Sequence, residues 1–170
     1  MINGVEYFSL DELNDKRGSF TKLYSSNWQS ATSIRLEESF LTTSIKGTTR
    51  GMHIQIGMSA NYKIISVIKG VIFDVLMDLR KNSETYQNIN QVELTAGNTF
   101  IVPPGVAHGF QSFEESKILY LSDKSHQPML DQGFNVKSLP IKWPLDFAIQ
   151  SDRDITLPTL DDFIRNVSID

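Results

Sequence analysis

The sequence predicts an all-β fold, either a barrel or a sandwich. The first observation is that short runs rich in Val, Ile and Phe alternate with turns roughly every 8–12 residues through the centre of the chain. This spacing is typical of barrels and sandwiches. The second observation is that no long stretch has convincing helical periodicity. With 170 residues and 40% hydrophobic composition, the chain is expected to form one domain over residues 1–170 around a single core.

The predicted strands come in pairs along the chain. Residues 61–80, NYKIISVIKGVIFDVLMDLR, contain two runs rich in Val, Ile and Phe that are joined by a KG turn. Residues 90–104, NQVELTAGNTFIVPP, repeat the pattern around an AGN turn. Residues 108–123, HGFQSFEESKILYLSD, add two short strands on either side of an acidic EE turn.

Two short helical segments are expected near the ends of the chain, at residues 10–15 (LDELND) and residues 157–167 (LPTLDDFIRNV). The second has apolar residues at helical spacing, so one of its faces is expected to pack on the barrel. These apolar residues are Leu160, Phe163, Ile164 and Val167.

The bulk composition limits the possible partners and sites. A net charge of −4 gives no support to nucleic-acid binding, which needs a basic surface stripe, so the cations for an anionic ligand must be gathered locally. The absence of cysteine excludes disulfides and thiolate metal sites. The start, MINGVEYFSLDEL, lacks the features of a signal peptide, and no apolar run reaches membrane-spanning length. We therefore expect a cytoplasmic protein with no membrane partner.

Polar side chains interrupt one probable strand at residues 48–55, TTRGMHIQ. Because successive strand side chains alternate between faces, His53 and Gln55 share one face and Arg50 lies on the other. A β-bulge at Gly51 would bring Arg50 round to the first face, since glycine tolerates the backbone angles that a bulge requires.

A lysine and a tyrosine also lie in probable strands that are otherwise apolar. Lys63 opens the apolar run KIISVI, and Tyr120 closes KILY. Taken alone, Lys63 is best explained as a solvated strand end and Tyr120 as a packed ring with a bonded hydroxyl. If both side chains point into one barrel with His53, the three form an acid–base site.

A motif that ends at the second histidine indicates which kind of all-β fold the chain adopts. The spacing G-x5-P-x-G-x2-H, from Gly97 to His108, resembles the second sequence motif of the cupins and predicts a jelly-roll barrel, the double-stranded β-helix, with short peripheral helices. Metal-binding cupins carry H-x-H and then a glutamate in their first motif, whereas this chain has HIQ at residues 53–55 and no acidic residue in the following IGMSANYK. Two histidines and a glutamine are poor ligands for a divalent ion, and His126 would complete a triad only by an unusual approach. No metal and no cofactor is expected.

An ordered series of blocks identifies a family. From about Asp15 to Leu160 the chain carries DKRGSF, SIKGTTRGMHIQ, YKIISVIKGVIFDVLMDLRKNS, VPPGVAHGF, ILY, IKWP and SDRD, followed by Pro158. This series resembles the dTDP-4-dehydrorhamnose 3,5-epimerases and related nucleotide-sugar epimerases. The resemblance implies a jelly-roll cupin without catalytic metal, usually a homodimer that exchanges N-terminal strands. It also implies inversion of C5, C3 or both beside the 4-keto group of a nucleotide-linked 4-keto-6-deoxyhexose.

The same resemblance implies roles for individual residues. His53 matches the base that removes a proton alpha to the ketone, and Asp154 matches the carboxylate that orients this base. Lys63 matches the cation facing the enolate oxygen, and Tyr120 matches the proton donor on the opposite face. The positions that match those holding the substrate and its diphosphate are Arg17, Arg50, His108 and Arg153, and the wider substrate-binding set adds Lys22, Glu38, Gln55, His126 and Asp131.

The departures from the family pattern lie at the end that binds the nucleotide base. A glutamate position in R-G-F-F-x-E holds Lys22, residues 38–40 read ESF in place of Q-D-N, and His126 stands where an aromatic residue stacks on thymine. All acid–base positions are filled. We therefore expect the chemistry to be retained with a base other than thymine, either cytosine or guanine.

Two other functions stay open. A 3,4-ketoisomerase would use a similar barrel, but the R-G-x-H-x-Q and S-x-x-D blocks match the epimerases better. A sugar-binding cupin without catalysis would share the fold, but the complete acid–base set argues against it.

Overall fold

Antiparallel β-strands build the molecule. The computed structural model describes residues 1–28 and 34–169. The strands in these residues are β1 (Glu6–Ser9), β2 (Glu12–Asp15), β3 (Gly18–Thr21), β4 (Glu38–Ser44), β5 (Thr49–Gln55), β6 (Lys63–Lys69), β7 (Val71–Asp78), β8 (Ile89–Thr95), β9 (Asn98–Val102), β10 (Val106–Ser112), β11 (Ser116–Ser122) and β12 (Asp131–Gly133).

The strands form two five-stranded sheets and a separate hairpin. One sheet has the order β1-β9-β6-β11-β4 and the other β12-β5-β10-β7-β8, while β2 pairs with β3. From β4 to β12, strands that are adjacent in the chain alternate between the two large sheets, except that β7 and β8 pair within one sheet, and this interleaving is that of a jelly roll. The prediction of an all-β jelly roll is confirmed, and the three predicted turns join β6 to β7, β8 to β9 and β10 to β11.

Side-chain alternation along the central strands produces two apolar layers. On β7, Ile72 and Leu76 belong to the core cluster between the two sheets, whereas Val75 and Met77 belong to a second cluster on the other face. The second cluster includes Phe163 from the C-terminal segment, so this sheet is covered on both faces. This double cover explains why β10 is buried along its whole length.

A register shift on β5 turns Arg50 toward the interior. His108 of β10 is paired with His53, but Phe110, two residues further, is paired with Arg50, so β5 has one extra residue at this point. Gly51 lies at the shift with a φ of +109°, and a Cβ here would lie 2.7 Å from a backbone atom of β10. The expected bulge at Gly51 is confirmed, and glycine is required because a side chain would clash.

Two short helices follow the last strand, α1 (Asp152–Thr156) and α2 (Leu160–Asn166). The Thr159 side chain caps α2 by accepting a hydrogen bond from the backbone N–H of Asp162, and Phe163 is buried beneath the helix. The predicted C-terminal helical segment is therefore confirmed. Within the described residues, no helix has the length and apolar character needed to cross a membrane.

The prediction of a helix at residues 10–15 is wrong, because this segment contains β2 and leads into its turn. Leu13 is paired with Phe20 on β3. The backbone N–H of Arg17 donates to Asp15 Oδ1, and the glycine that follows has a φ of +133°. The aspartate and glycine of the turn thus favour a hairpin over a helix supported by only two leucines.

Candidate active site

A cavity of about 340 Å³ opens between the two sheets. Inward-facing side chains of β4, β5, β6, β10 and β11 form its walls, and the loop between β11 and β12 lies at its mouth. Because these strands come from both sheets, the cavity is the unfilled end of the barrel interior.

A histidine–aspartate pair lies on one wall. His53 Nε2 lies 2.6 Å from Asp154 Oδ1, and the carboxylate is buried on α1, where its backbone N–H donates to Ser151 Oγ. Burial alone would raise the pKa of Asp154, but the hydrogen bond and charge of His53 hold the pKa below its usual value. The pair therefore contains an ionised carboxylate that orients the imidazole and leaves its second ring nitrogen for a ligand.

Lys63 reaches the same cavity from the first residue of β6. Burial lowers the pKa of its ammonium group, and the negative charge of Asp131 partly opposes this effect. A partly desolvated ammonium is both a concentrated positive charge and a better proton donor than a solvated lysine.

Tyr120 lines the wall formed by β11, opposite His53. The ring is 7% exposed, and its pKa is raised well above the usual value, first by burial and then by the nearby Asp74 carboxylate. The phenol therefore stays protonated over the physiological pH range and can act only as a donor of its proton.

A second histidine–aspartate pair lies deeper in the barrel. His108 Nε2 lies 2.6 Å from Asp74 Oδ2, and both residues are buried. Burial raises the pKa of Asp74, while the charge and hydrogen bond of His108 act against this rise. The other carboxylate oxygen, Oδ1, is buried without a hydrogen-bond partner among the described residues.

Charged groups of both signs meet at the mouth. Asp131 Oδ2 lies 2.7 Å from Arg153 Nη1 and 3.1 Å from His126 Nε2. Glu38 Oε2 accepts a hydrogen bond from the backbone N–H of His126 at 2.5 Å. Burial alone would raise the pKa of Asp131, but its bonds to His126 and Arg153 hold it below the usual value. These contacts fix the orientation of the mouth residues.

Two further side chains offer donors to a ligand. Gln55 Oε1 accepts a hydrogen bond from the backbone N–H of Gln127, while its buried Nε2 has no partner within the described residues. Arg50 Nε donates to Ser44 Oγ at 3.1 Å, which leaves its terminal nitrogens for a ligand in the cavity.

The structure brings together most of the residues predicted for the site. The lining residues among them are His53, Lys63, Tyr120, Glu38, Arg50, Gln55, His108, His126 and Asp131. Asp154 and Arg153 contact lining residues from α1. Arg17 pairs with Asp15 on the exposed hairpin, and Lys22 borders a separate groove beside β1, so neither reaches the cavity of its own chain.

Sequence reasoning missed several residues of the cavity, and it also missed Asp74, which contacts the lining residue His108. Asp74 carries a signal that would have revealed it, because it is an acidic residue inside the apolar run VIFDVLM and faces inward with Ile72. Thr42, Asn61 and Ser122 carry no comparable signal, since short polar side chains are common in strands and loops alike.

The described residues contain no group of three or more His, Cys, Asp or Glu side chains placed to hold a metal ion. His53 and His108 each make a short hydrogen bond to their own aspartate. The imidazoles are thus oriented for proton transfer or ligand binding.

The chain is similar in sequence to known proteins. The sequence profile of the dTDP-4-dehydrorhamnose 3,5-epimerase family matches residues 1–162. A dTDP-4-dehydrorhamnose 3,5-epimerase of Shigella flexneri is 31% identical over 162 residues, which cover 91% of this chain and 90% of that protein.

Solved structures give the same result. The dTDP-4-dehydrorhamnose 3,5-epimerase of Bacillus anthracis str. Ames, with TDP and PPi bound, is 31% identical with a TM-score of 0.86, covering 94% of this chain and 97% of that chain. A 4-keto-6-deoxy sugar epimerase from the novobiocin biosynthetic gene cluster of Streptomyces spheroides is 27% identical with a TM-score of 0.88, covering 95% of this chain and 85% of that chain.

These matches confirm the cupin jelly-roll fold, the isomerase class and the family that the sequence predicted. The family profile spans nearly the whole chain, and the solved structures superimpose over more than nine-tenths of it. The chain belongs to the dTDP-4-dehydrorhamnose 3,5-epimerase family.

Proposed function

We propose that this protein inverts C5, C3 or both of a nucleotide-activated 4-keto-6-deoxyhexose. The observation that carries the proposal is the position of His53 and Tyr120 on opposite sheets of one cavity. A sugar ring bound between them presents one face to the imidazole and the other to the phenol, as an inversion at carbon requires.

The first step is removal of a proton alpha to the ketone. His53 takes the proton, and the electron pair of the C–H bond moves into an enolate whose negative charge lies on the C4 oxygen. Asp154, 2.6 Å from His53, stabilises the imidazolium that forms. Since the pKa of Asp154 is held low, the carboxylate is already ionised before the step begins.

Lys63 stabilises the charge that develops on the sugar oxygen. Its ammonium lies in the same cavity, where water is largely excluded and an electrostatic contact is stronger than in bulk water. The lowered pKa of Lys63 also strengthens the hydrogen bond that it donates to the enolate oxygen.

Tyr120 completes the inversion. Its hydroxyl proton is transferred to the same carbon from the opposite face, and the C4 carbonyl re-forms. The tyrosinate then recovers a proton from solvent, and the His53 imidazolium releases its proton to solvent. The raised pKa of Tyr120 keeps the proton in place until the carbanion-like carbon is available.

We infer that the nucleotide diphosphate binds along the mouth and that a second subunit completes this end. Relatives of this chain are named for dTDP-linked sugars, and the Bacillus anthracis protein holds TDP and PPi. Arg153 supplies positive charge at the mouth and Arg50 supplies it within the cavity, and guanidinium groups suit phosphate oxygens.

The β2–β3 hairpin supports a homodimer that exchanges N-terminal strands. In the described residues this hairpin pairs with neither large sheet, and its Leu13 and Phe20 are 66% and 60% exposed. The unpaired edge of β4 also exposes Leu41 at 54%. A hairpin from a second copy would cover such an edge and carry Arg17 and Lys22 toward the cavity.

The proposal is tested with dTDP-, CDP-, GDP- and UDP-linked 4-keto-6-deoxyhexoses in heavy water containing a chelator. We expect deuterium at C5, C3 or both by mass spectrometry, and an inverted product by nuclear magnetic resonance. A carbonyl moved to C3 would instead support the ketoisomerase. Binding without deuterium uptake would support a sugar-binding cupin, and activity restored only by a divalent ion would contradict metal-free catalysis.

A further inference from the structure

The Phe40 ring stacks on the ring of Tyr120. The two residues are directly paired across β4 and β11, and their rings are stacked with centroids 4.7 Å apart and planes 9° apart. Phe40 is 42% exposed and forms part of the cavity wall. It replaces the asparagine of the family's Q-D-N block, so this contact comes with a substitution in this chain.

Ring contacts with Phe40 and His108 restrict the orientation of the Tyr120 ring. The buried Thr42 side chain lies beside the Tyr120 hydroxyl and acts against the rise in the pKa of Tyr120. His108 contacts the ring at 6.0 Å with its plane tilted by 61°. Phe40 therefore makes the parallel ring contact that restricts rotation of Tyr120 toward the mouth.

We propose that Phe40 is a positioning residue that holds the Tyr120 hydroxyl toward the reacting carbon and so favours inversion over return of the proton to its original face. This inference rests on the epimerase function proposed above. The enolate can be protonated by either of two groups, His53 on the original face or Tyr120 on the opposite face. A phenol that rotates away from the carbon loses this competition, although proton removal by His53 is unchanged.

The consequence is measurable as a ratio. In heavy water, return from His53 gives deuterated sugar of unchanged configuration, and protonation by Tyr120 gives deuterated, inverted sugar. Phe40→Leu keeps an apolar side chain but removes the stacked ring. We expect the ratio of inverted to uninverted deuterated sugar to fall by about threefold to tenfold, with total deuterium uptake within about twofold of wild type.

Three further variants make the test specific. Phe40→Tyr keeps a stacked ring and should restore the wild-type ratio. Phe40→Asn removes the ring by a different change and should resemble Phe40→Leu. Thr43→Ala alters an exposed residue on the other face of β4 and should leave both quantities unchanged. Thermal melting of each variant confirms that it is folded.

A wild-type ratio in both Phe40→Leu and Phe40→Asn would overturn the inference. An equal loss of deuterium uptake and inversion would also overturn it, because such a loss indicates a role only in binding or folding. Failure of the proposed function looks different, because the wild-type protein would then neither exchange nor invert any sugar in the panel, and both conclusions would fall together.

Discussion

The inner end of the cavity and its mouth are held in place in different ways. His53 and Tyr120 at the inner end lie on strands with neighbours on both sides, and each contacts a partner within its own chain. At the mouth, Glu38 begins an edge strand, His126 lies in a loop and Asp131 belongs to a three-residue edge strand. Paired strands hold catalytic geometry tightly, whereas edges and loops accept substitution without disturbing it.

The sequence shows the same contrast. In the resemblance to the family, the acid–base positions all match, and the departures fall at Lys22, Glu38, Phe40 and His126, of which Phe40 stacks on Tyr120 and the other three are predicted to face the nucleotide. The inner end is also complete within one chain, whereas Arg17 and Lys22 do not reach the mouth of their own subunit. We propose that the chemistry is retained within the chain, and that the recognition of the nucleotide has changed and depends partly on a second copy.

The largest effect is expected at the inner end. His53→Ala removes the base, so deuterium uptake should fall by about 10²–10⁴-fold with little change in KM. His126→Ala, at the mouth, should instead raise KM with a smaller change in kcat, because it loses a contact to the nucleotide and not to the reacting carbon. Steady-state kinetics and uptake measured side by side check this difference, and equal effects of the two variants would refute it.

Tyr120→Phe should separate the two halves of the reaction. The ring and its stack on Phe40 remain, but the donor is lost, so deuterium uptake continues through return from His53. The yield of inverted sugar should fall by about 10²-fold or more. Nuclear magnetic resonance of the product mixture measures both quantities. Parallel loss of uptake and inversion would show that Tyr120 does not act as the second-face donor.

Much of the inner end could be predicted from the sequence, because its signals are local. Alternation along a strand placed His53 beside Gln55, and a glycine before them allowed the bulge that turns Arg50 inward. The paired runs around the KG, AGN and EE turns predicted β6 to β11. Each of these patterns depends on a few neighbouring residues, which a single sequence shows directly.

The remaining structure depends on contacts between distant segments. β4 pairs with β11 and β12 pairs with β5, yet neither edge strand has a regular apolar alternation of its own. The contact between Asp74 and His108 joins residues 34 positions apart, and the stack of Phe40 on Tyr120 depends on strand register. Such contacts are set by the tertiary fold, so a pattern within one segment does not reveal them.

Mixing inactive variants tests whether the mouth is shared between subunits. If the hairpin is exchanged, a mixed dimer of Arg17→Ala and His53→Ala has one site with an intact His53 and a partner's intact Arg17. Random reassociation should then restore roughly a quarter of wild-type activity from two nearly inactive proteins. A mixture of His53→Ala and Asp154→Asn should show no restoration, because both changes affect the same body of the barrel. Absence of restoration in the first mixture, with mixed dimers demonstrated by mass spectrometry, would contradict the exchange.

The smallest effect is expected for the nucleotide base. Glu38 Oε2 is occupied by the backbone N–H of His126, which leaves Oε1 as an acceptor at the mouth. Cytosine and guanine have an exocyclic amino group that donates to such an oxygen, whereas thymine has none. An unpaired buried carboxylate oxygen is costly, so CDP or GDP should bind about tenfold more tightly than dTDP.

Glu38→Gln provides the matched control for the base preference, because it keeps the size of the side chain and restores the family's glutamine. An amide both donates and accepts, so this variant should recover affinity for dTDP and lose affinity for the amino-bearing bases. Calorimetric titration with dTDP, CDP, GDP and UDP measures both proteins. If Glu38 and Lys22 were only solvated surface charges, all four nucleotides would bind with similar affinity and Glu38→Gln would change little. A wild-type preference for dTDP would show that the substitutions at the mouth leave thymine recognition intact.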